Sequence, residues 1–339
     1  MRQLIRLNGL TKPVKCSKLA HMLPRRILLI ILLILFSIPS VSHAFWVWTP
    51  ETNKWINPKY SVKDTPSEQL EFAIGFYKNK EYEEALREFR KLIRHYPRAR
   101  EAPDAQYYIG KVFEDQGEVF TAFKEYQIVV EKYPFSDRSV EIVKLQYEIG
   151  NKLLEGEGTR NKFMSTLKGT NYNVIDIFQT IIKNAPYGDL AAPSQYKIGL
   201  YLMEQGLYQE SRDEFEKVVN DYPQSEWAKA AQFQIAQADA KRSAGAQYDQ
   251  KTTQAAVEEF KEFLEANPDA ELSDKAKEQI RVLREKEAEN NFMIAQYYEK
   301  TKNYPAAKIY YQSIVDNYRD STWAQKALSK VQEVSKKIK

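Results

Sequence analysis

The stretch AQYYIGKVFEDQGEVFTAFKEYQIVVEKYP, residues 105–134, decides the fold. Ile109 and Phe113 lie four residues apart, and Ala122, Tyr126 and Val129 follow at steps of four and three, so each half presents one apolar face of a helix. Gly117 divides the halves, and glycine accepts the left-handed backbone that ends a helix. Tyr133-Pro134 closes the second half, because a residue before proline is pushed out of the helical region. Gly110 and Ala122 are small enough to let two antiparallel helices approach to roughly 8–10 Å. The stretch is a helix–turn–helix unit.

The unit recurs on both sides. Tyr96-Pro97 stands 37 residues before Pro134, and Phe72, Ala73, Phe76, Tyr82, Ala85, Phe89 and Leu92 precede it in the same register. Ile198, Gly199, Leu202, Gly206, Tyr208, Ser211, Phe215 and Val218 precede Pro223, and Ile294, Ala295, Tyr298, Tyr304, Ala307, Tyr311 and Ile314 precede Tyr318. Two further copies carry insertions: Tyr147, Ile149 and Gly150 pair with Val174, Phe178 and Ile181 across a loop from Gly156 to Asn173, and Phe233, Ile235 and Ala236 pair with Ala256, Phe260 and Phe263 across Ser243–Lys251. Ser273 to about Lys300 reads as one long or two end-to-end helices, Ser321–Ile338 as a final covering helix, and no segment alternates as strands do. A period of this length, these small residues and these prolines resemble the tetratricopeptide (TPR) repeat. The resemblance implies an all-α fold, a right-handed TPR superhelix (α-solenoid) of about six helix pairs plus a C-terminal capping helix.

Residues 1–44 have the three parts of a secretory signal: Arg25-Arg26, the apolar run Ile27–Ile38, and Ser42-His43-Ala44 as a cleavage site. Cleavage after Ala44 is expected, since the run is shorter than the roughly 20 residues that span a bilayer. Retention as an anchor extended through Phe45, Trp46 and Trp48 is the alternative. Met22 would open a signal of ordinary length, which makes it a candidate start beside Met1. The chain is therefore expected to be exported.

Removing residues 1–44 takes seven of the 50 Lys and Arg and none of the 46 Asp and Glu, which leaves 43 against 46, a formal net charge of −3. No basic surplus remains for a phosphate backbone, so nucleic acid is excluded as a partner. Cys16 also precedes Ala44, so the mature part has no thiol or disulfide chemistry. Of His21, His43 and His95 only the last lies in the mature part, beside Tyr96-Pro97 at a helix end. Gly156-Glu157-Gly158-Thr159 lacks the Gly-Lys-Ser/Thr of a phosphate loop, and Glu83-Glu84 and Glu258-Glu259 sit on repeat helices whose charged faces meet solvent. The sequence points to no enzyme, no cofactor and no metal.

Residues 45–66 form an extended segment with Phe45, Trp46, Trp48, Trp55, Tyr60 and three prolines, an aromatic density foreign to disordered linkers. It either caps the first repeat or uses Trp46, Trp48 and Trp55 as an aromatic anchor for a partner or the membrane interface.

Tyr248-Asp249-Gln250 ahead of Ala256, Phe260 and Phe263, and the long helix into Ala295-Gln296-Tyr297-Tyr298 and Tyr304-Pro305-Ala306-Ala307, resemble the BamD family of outer-membrane protein assembly factors. The resemblance covers most of the mature part and is strongest from about Gln247 to Ala327. It implies a scaffold in the periplasm or on the periplasmic face of the outer membrane that holds a BamA-like barrel insertase through C-terminal repeats, here 226–338, and receives unfolded outer membrane proteins through N-terminal ones, here 67–223. Tyr297, Tyr298 and Tyr304 are then candidates for the scaffold contact. Members begin with an acylated cysteine, whereas position 45 is Phe, so the expectation is no lipid anchor on cysteine and at most a peripheral membrane association. The array is also longer than the family's usual five repeats, with Val140–Pro223 as the extra part. A Tol-Pal-associated or cell-wall-synthesis TPR adaptor is the alternative.

The first helix of each TPR pair lines the inner surface of the array. In this register that places Tyr77, Tyr107, Lys111, Tyr196 and Leu200 as a candidate peptide-binding groove, with packing of the tyrosines between helices as the competing reading.

Overall fold

A computed structural model describes residues 46–50, 53–57, 61–159, 173–243, 250–268 and 271–338. The expected signal, Cys16, the cleavage site at 42–44, most of the insertion after Gly156, and Tyr248-Asp249 lie outside the described residues. The chain divides into two units, 1–62 and 63–339.

The larger unit is wholly helical in its described residues. Six antiparallel pairs follow one another: α1 (Pro66–Lys78) with α2 (Tyr82–His95), α3 (Ala102–Asp115) with α4 (Val119–Lys132), α5 (Ser139–Thr159) with α6 (Val174–Asn184), α7 (Ala191–Glu204) with α8 (Tyr208–Asp221), α9 (Glu226–Arg242) with α10 (Gln250–Ala266), and α11 (Ser273–Lys300) with α12 (Tyr304–Asn317). Then α13 (Thr322–Ser335) packs on both α11 and α12 and covers the last pair. The run from Ser273 is one unbroken helix, whose first half buries Ala276 and Leu283 against α10 while its second half buries Ala288, Phe292 and Ala295 with α12 and α13. Helix α5 reaches Thr159, so the first residues assigned to the insertion are helical instead of looped.

The turn inside four pairs is the same hydrogen-bonded motif. The backbone N–H of Glu118 donates to the Phe113 carbonyl and that of Gly117 to Glu114, while the N–H groups of Glu81, Leu207 and Asn303 repeat the longer bond to Phe76, Leu202 and Tyr298. These bonds satisfy helix-end carbonyls that otherwise lack a partner, and they require a left-handed residue. Gly117 (φ 79°) and Gly206 (φ 76°) supply it without cost, whereas Lys80 and Lys302 (both φ 63°) adopt the same conformation with a side chain.

At the other end of five of the pairs, Tyr96, Tyr133, Ala185, Tyr222 and Tyr318 each accept from the residue three further on, so Ala185-Pro186 and Tyr318-Arg319 make the same turn as the Tyr-Pro copies. Small residues sit where the register requires: Ala73, Ala85, Ala122, Ser211, Ala295 and Ala307 have no exposed surface. An Ala122→Leu replacement is expected to overpack this crossing and cost about 1–3 kcal/mol. Lys124, exposed on the same helix over the Phe120 ring, is expected to tolerate alanine within about 0.5 kcal/mol. Thermal unfolding of both variants checks the register, and equal shifts would refute it.

Five buried apolar clusters hold the array, and all lie inside the larger unit, which therefore contains its own core. In the smaller unit, β1 (Val47–Thr49) pairs antiparallel with β2 (Lys54–Ile56). This corrects the expectation of no strands. Three residues per strand are too few for alternation to stand out in sequence.

Candidate functional site

Of the five groove candidates, Tyr107 and Tyr196 are buried and Tyr77, Lys111 and Leu200 are partly exposed. Tyr107 is buried, its hydroxyl donates to Glu141 Oε1 at 2.7 Å, and the Arg138 guanidinium lies 4.6 Å from its ring centre. Arg138 in turn donates to Asp104 and Glu141, both at 2.8 Å. Burial and the bond to Glu141 push the Tyr107 hydroxyl far above its ordinary range, so it stays a neutral donor. Tyr196 is buried too, between Phe215 (5.2 Å between ring centres) and Trp227 (5.1 Å), and its hydroxyl accepts from Gln234 at 3.2 Å. Phe215 belongs to the second helix of the same pair, but Trp227 and Gln234 at Tyr196, and Arg138 and Glu141 at Tyr107, come from the start or the body of the next pair, so each tyrosine also joins neighbouring repeats. Both side chains are packed between neighbouring helices.

The other three candidates keep part of their surface. Tyr77 stacks edge-on against Tyr108 at 5.4 Å, and burial with a bond to Asp115 raises its hydroxyl. Leu200 packs against the cluster around Tyr196. Lys111 pairs with Glu114 at 3.0 Å, and Glu114 also accepts from the buried Tyr126 hydroxyl at 2.8 Å. Burial alone would raise the Glu114 carboxyl, but the bonds from Tyr126 and Lys111 and the charge of Lys152 outweigh it and hold it below the usual range.

A repeated polar clasp escaped the apolar reading. Gln69 donates to Glu88 (3.0 Å), Gln106 to Glu125 (2.6 Å) and Gln195 to Glu214, each pair 19 residues apart and each joining the two helices of one unit. The recurrence of Gln and Glu at this spacing was its one visible signal. A second missed feature is the joint between α8, α9 and α10, where Arg212 meets Glu216, Asp239 (3.2 Å) and Glu259 (2.9 Å).

The C-terminal candidates stand together on the last pair. Tyr297 is 64% exposed and lies 5.7 Å from Tyr298, which stacks on Tyr310 at 5.5 Å. Tyr304 is partly buried beneath Lys337, and Ile309, next to Tyr310 in the chain, is 68% exposed. Tyr297 therefore presents its ring to solvent from a fixed aromatic base.

In the smaller unit Trp48 and Trp55 face each other across the hairpin with ring centres 5.7 Å apart, and Trp46, Trp48 and Trp55 are all exposed. Asn53 takes the left-handed conformation in the turn (φ 52°), which asparagine tolerates. Among the described residues no cluster of His, Cys, Asp and Glu could hold a metal ion, and no helix is long and apolar enough to cross a membrane.

Residues 70–137 and 194–225 match tetratricopeptide repeat families, and residues 237–339 match the YfiO family, described as outer membrane lipoprotein. The last match begins in α9 and runs through α13. No curated protein matches the chain. Similar solved structures include the C-terminal part of a TPR repeat-containing protein from Cytophaga hutchinsonii, 17% identical over 78% of this chain and 88% of that one, TM-score 0.35. Another is a thermophilic TPR protein of Thermus thermophilus, 15% identical over 64% and 99%, TM-score 0.32. A third is a tetratricopeptide repeat protein from Parabacteroides merdae, 11% identical over 79% and 98%, TM-score 0.32. Likeness at this level says nothing of partners.

Proposed function

We propose that this chain, a tetratricopeptide array ending in a YfiO-type (BamD-like) domain, is a non-enzymatic scaffold of the bacterial envelope that serves outer-membrane β-barrel protein assembly and insertion. The observation that carries the proposal is the coincidence of the YfiO match with the repeat that exposes Tyr297 above Tyr298 and Tyr310. An exposed aromatic held on a packed base loses little entropy on binding, which is what a contact residue for another protein requires. In this reading Tyr297, Tyr298 and Tyr304 hold a BamA-like barrel insertase. The N-terminal repeats offer Tyr77, Lys111 and Leu200 to an unfolded barrel segment, and Tyr107 and Tyr196 serve the stacking of repeats beneath it.

The chain acts by position. Repeats before α9 and the domain after it are held in one relation by the Arg212 joint, so a client bound at one end is presented to a partner at the other. The test is recovery of partners from envelope extracts with the tagged chain. A barrel insertase is expected to co-purify, and its yield to fall with Tyr297→Ala. Recovery of Tol-Pal or peptidoglycan-synthase components in its place would overturn the proposal in favour of an adaptor for the cell wall.

A further inference from the structure

The fifth pair departs from the polar clasp. In the clasped pairs the Gln stands four residues before the small residue of the first helix and the Glu directly before the aromatic of the second, as Gln106 before Gly110 and Glu125 before Tyr126. The same positions in the fifth pair are Gln232 and Glu259, ahead of Ala236 and Phe260. Among the described residues no bond joins them. Gln232 accepts from Asn267 at 3.3 Å, and Glu259 turns its Oε1 to Arg212 on α8 at 2.9 Å. Arg212 also donates to Asp239 Oδ2 at 3.2 Å, so two carboxyl groups grip one guanidinium.

The second oxygen of each acid is left over. Asp239 Oδ1 and Glu259 Oε2 are both buried, and neither takes part in a hydrogen bond among the described residues. A buried acceptor without a donor is costly, and one proton between the two oxygens would satisfy both. The charges favour the same arrangement. Facing the joint are Arg212 and Glu216 from α8, Asp239 and Arg242 from α9, and Glu259 from α10 with Glu262 one turn further on. Helix α11, packed on α10, turns Lys286 to Ser243 instead. Two arginines thus meet the carboxyls of Glu216, Asp239 and Glu259, one negative charge too many.

We infer that Asp239 and Glu259 share one proton, and that this proton fastens the joint between the repeats and the YfiO-type domain. The YfiO match begins at residue 237, so Arg212 stands before the boundary and both acids stand after it. Asp239 has a second cation in Arg242 at 3.4 Å whereas Glu259 has Arg212 alone, so Glu259 carries the proton and donates it to Asp239 Oδ1. Burial, with the charge of Asp239 and the bond to it, accordingly pushes the Glu259 carboxyl up against the pull of Arg212. A carboxyl raised in the folded chain adds stability as pH falls through its folded value, and has added all of it below its unfolded one. The joint therefore tightens as pH falls from neutrality. The inference does not depend on which protein the C-terminal repeats hold.

Carbon NMR of the exported chain, labelled at the glutamate carboxyls, reads the proton directly, with the Glu259 signal identified by its loss in Glu259→Gln. Its midpoint is expected above the ordinary glutamate range and is expected to fall in Asp239→Asn, which removes the neighbouring charge. Glutamine at 259 imitates the protonated carboxyl, since its amide can donate to Asp239 while its oxygen accepts from Arg212. Glu259→Gln is therefore expected to melt no lower than the parent at pH 7.5. At pH 5.5, where the parent has taken up its proton, the variant is expected to lose about 2 °C or more relative to the parent. The inference is overturned if the Glu259 signal titrates with the ordinary glutamates, or if Asp239→Asn leaves its midpoint in place. It is equally overturned if Glu259→Gln fails to fold, melts below the parent at pH 7.5, or keeps the same difference from the parent at both pH values.

Discussion

Arg212→Met is expected to destabilise the array by about 3 kcal/mol at pH 7.5, the cost of taking the cation from Glu259 and one of two cations from Asp239, which keeps Arg242 at 3.4 Å. Arg212 reaches Asp239, itself 3% exposed, and Glu259, which are drawn from different helices. Burial raises the Glu259 carboxyl above the usual range and the Asp239 charge raises it further, while Arg212 opposes both. Removing the guanidinium therefore raises it more. A carboxyl whose folded pKa lies above its unfolded one contributes stability below the unfolded value and loses it as pH rises through the folded one. The deficit of Arg212→Met should accordingly shrink as pH falls from 7.5 toward 5. Urea unfolding at the two pH values measures this, and Arg212→Lys should recover part of the loss, because an ammonium cannot bridge both acids as the planar fork does. A deficit that is independent of pH would remove the buried carboxylates as its cause.

Gly110→Val is expected to cost about 3 kcal/mol. A Cβ at Gly110 would stand 2.5 Å from Tyr126 Cε1, closer than atoms can approach. The ring cannot yield easily, since Tyr126 has no exposed surface and its hydroxyl is tied to Glu114. Gly75 in the first pair has nothing within 4 Å of the same atom, so Gly75→Ala should be neutral or stabilising by up to about 1 kcal/mol through helix propensity. Thermal unfolding of the two variants separates a glycine required by close approach from one that is merely present. Similar melting for both would show that Gly110 is not the contact point of the pair.

The same pair explains what the sequence makes visible. Small residues facing large rings, a glycine at the turn and a proline at the exit are properties of single positions, so Gly110, Gly117 and Pro134 announce the helix pair and its copies announce the array. Properties that need two distant positions are harder to see. Gln106 and Glu125 look like two solvated side chains until α3 and α4 are laid together. Tyr107 and Tyr196 carry the right residue type on the right helix, yet the first turns of the following pair cover them, and that covering depends on how one repeat stacks on the next. Lys80 and Lys302 occupy left-handed positions that a search for glycine passes over. The hairpin of Trp48 and Trp55 is too short to show alternation.

The C-terminal repeat is expected to hold another protein. A photo-reactive phenylalanine derivative placed at Tyr297 tests this most directly, because the side chain is 64% exposed and its replacement disturbs no packing on which the fold depends. Irradiation of cells carrying this variant is expected to give a cross-link to a barrel insertase, with no such product from the same probe at exposed Lys277 on α11. A folded variant that cross-links at Tyr297 to Tol-Pal or peptidoglycan-synthase components, or to nothing, would contradict the account.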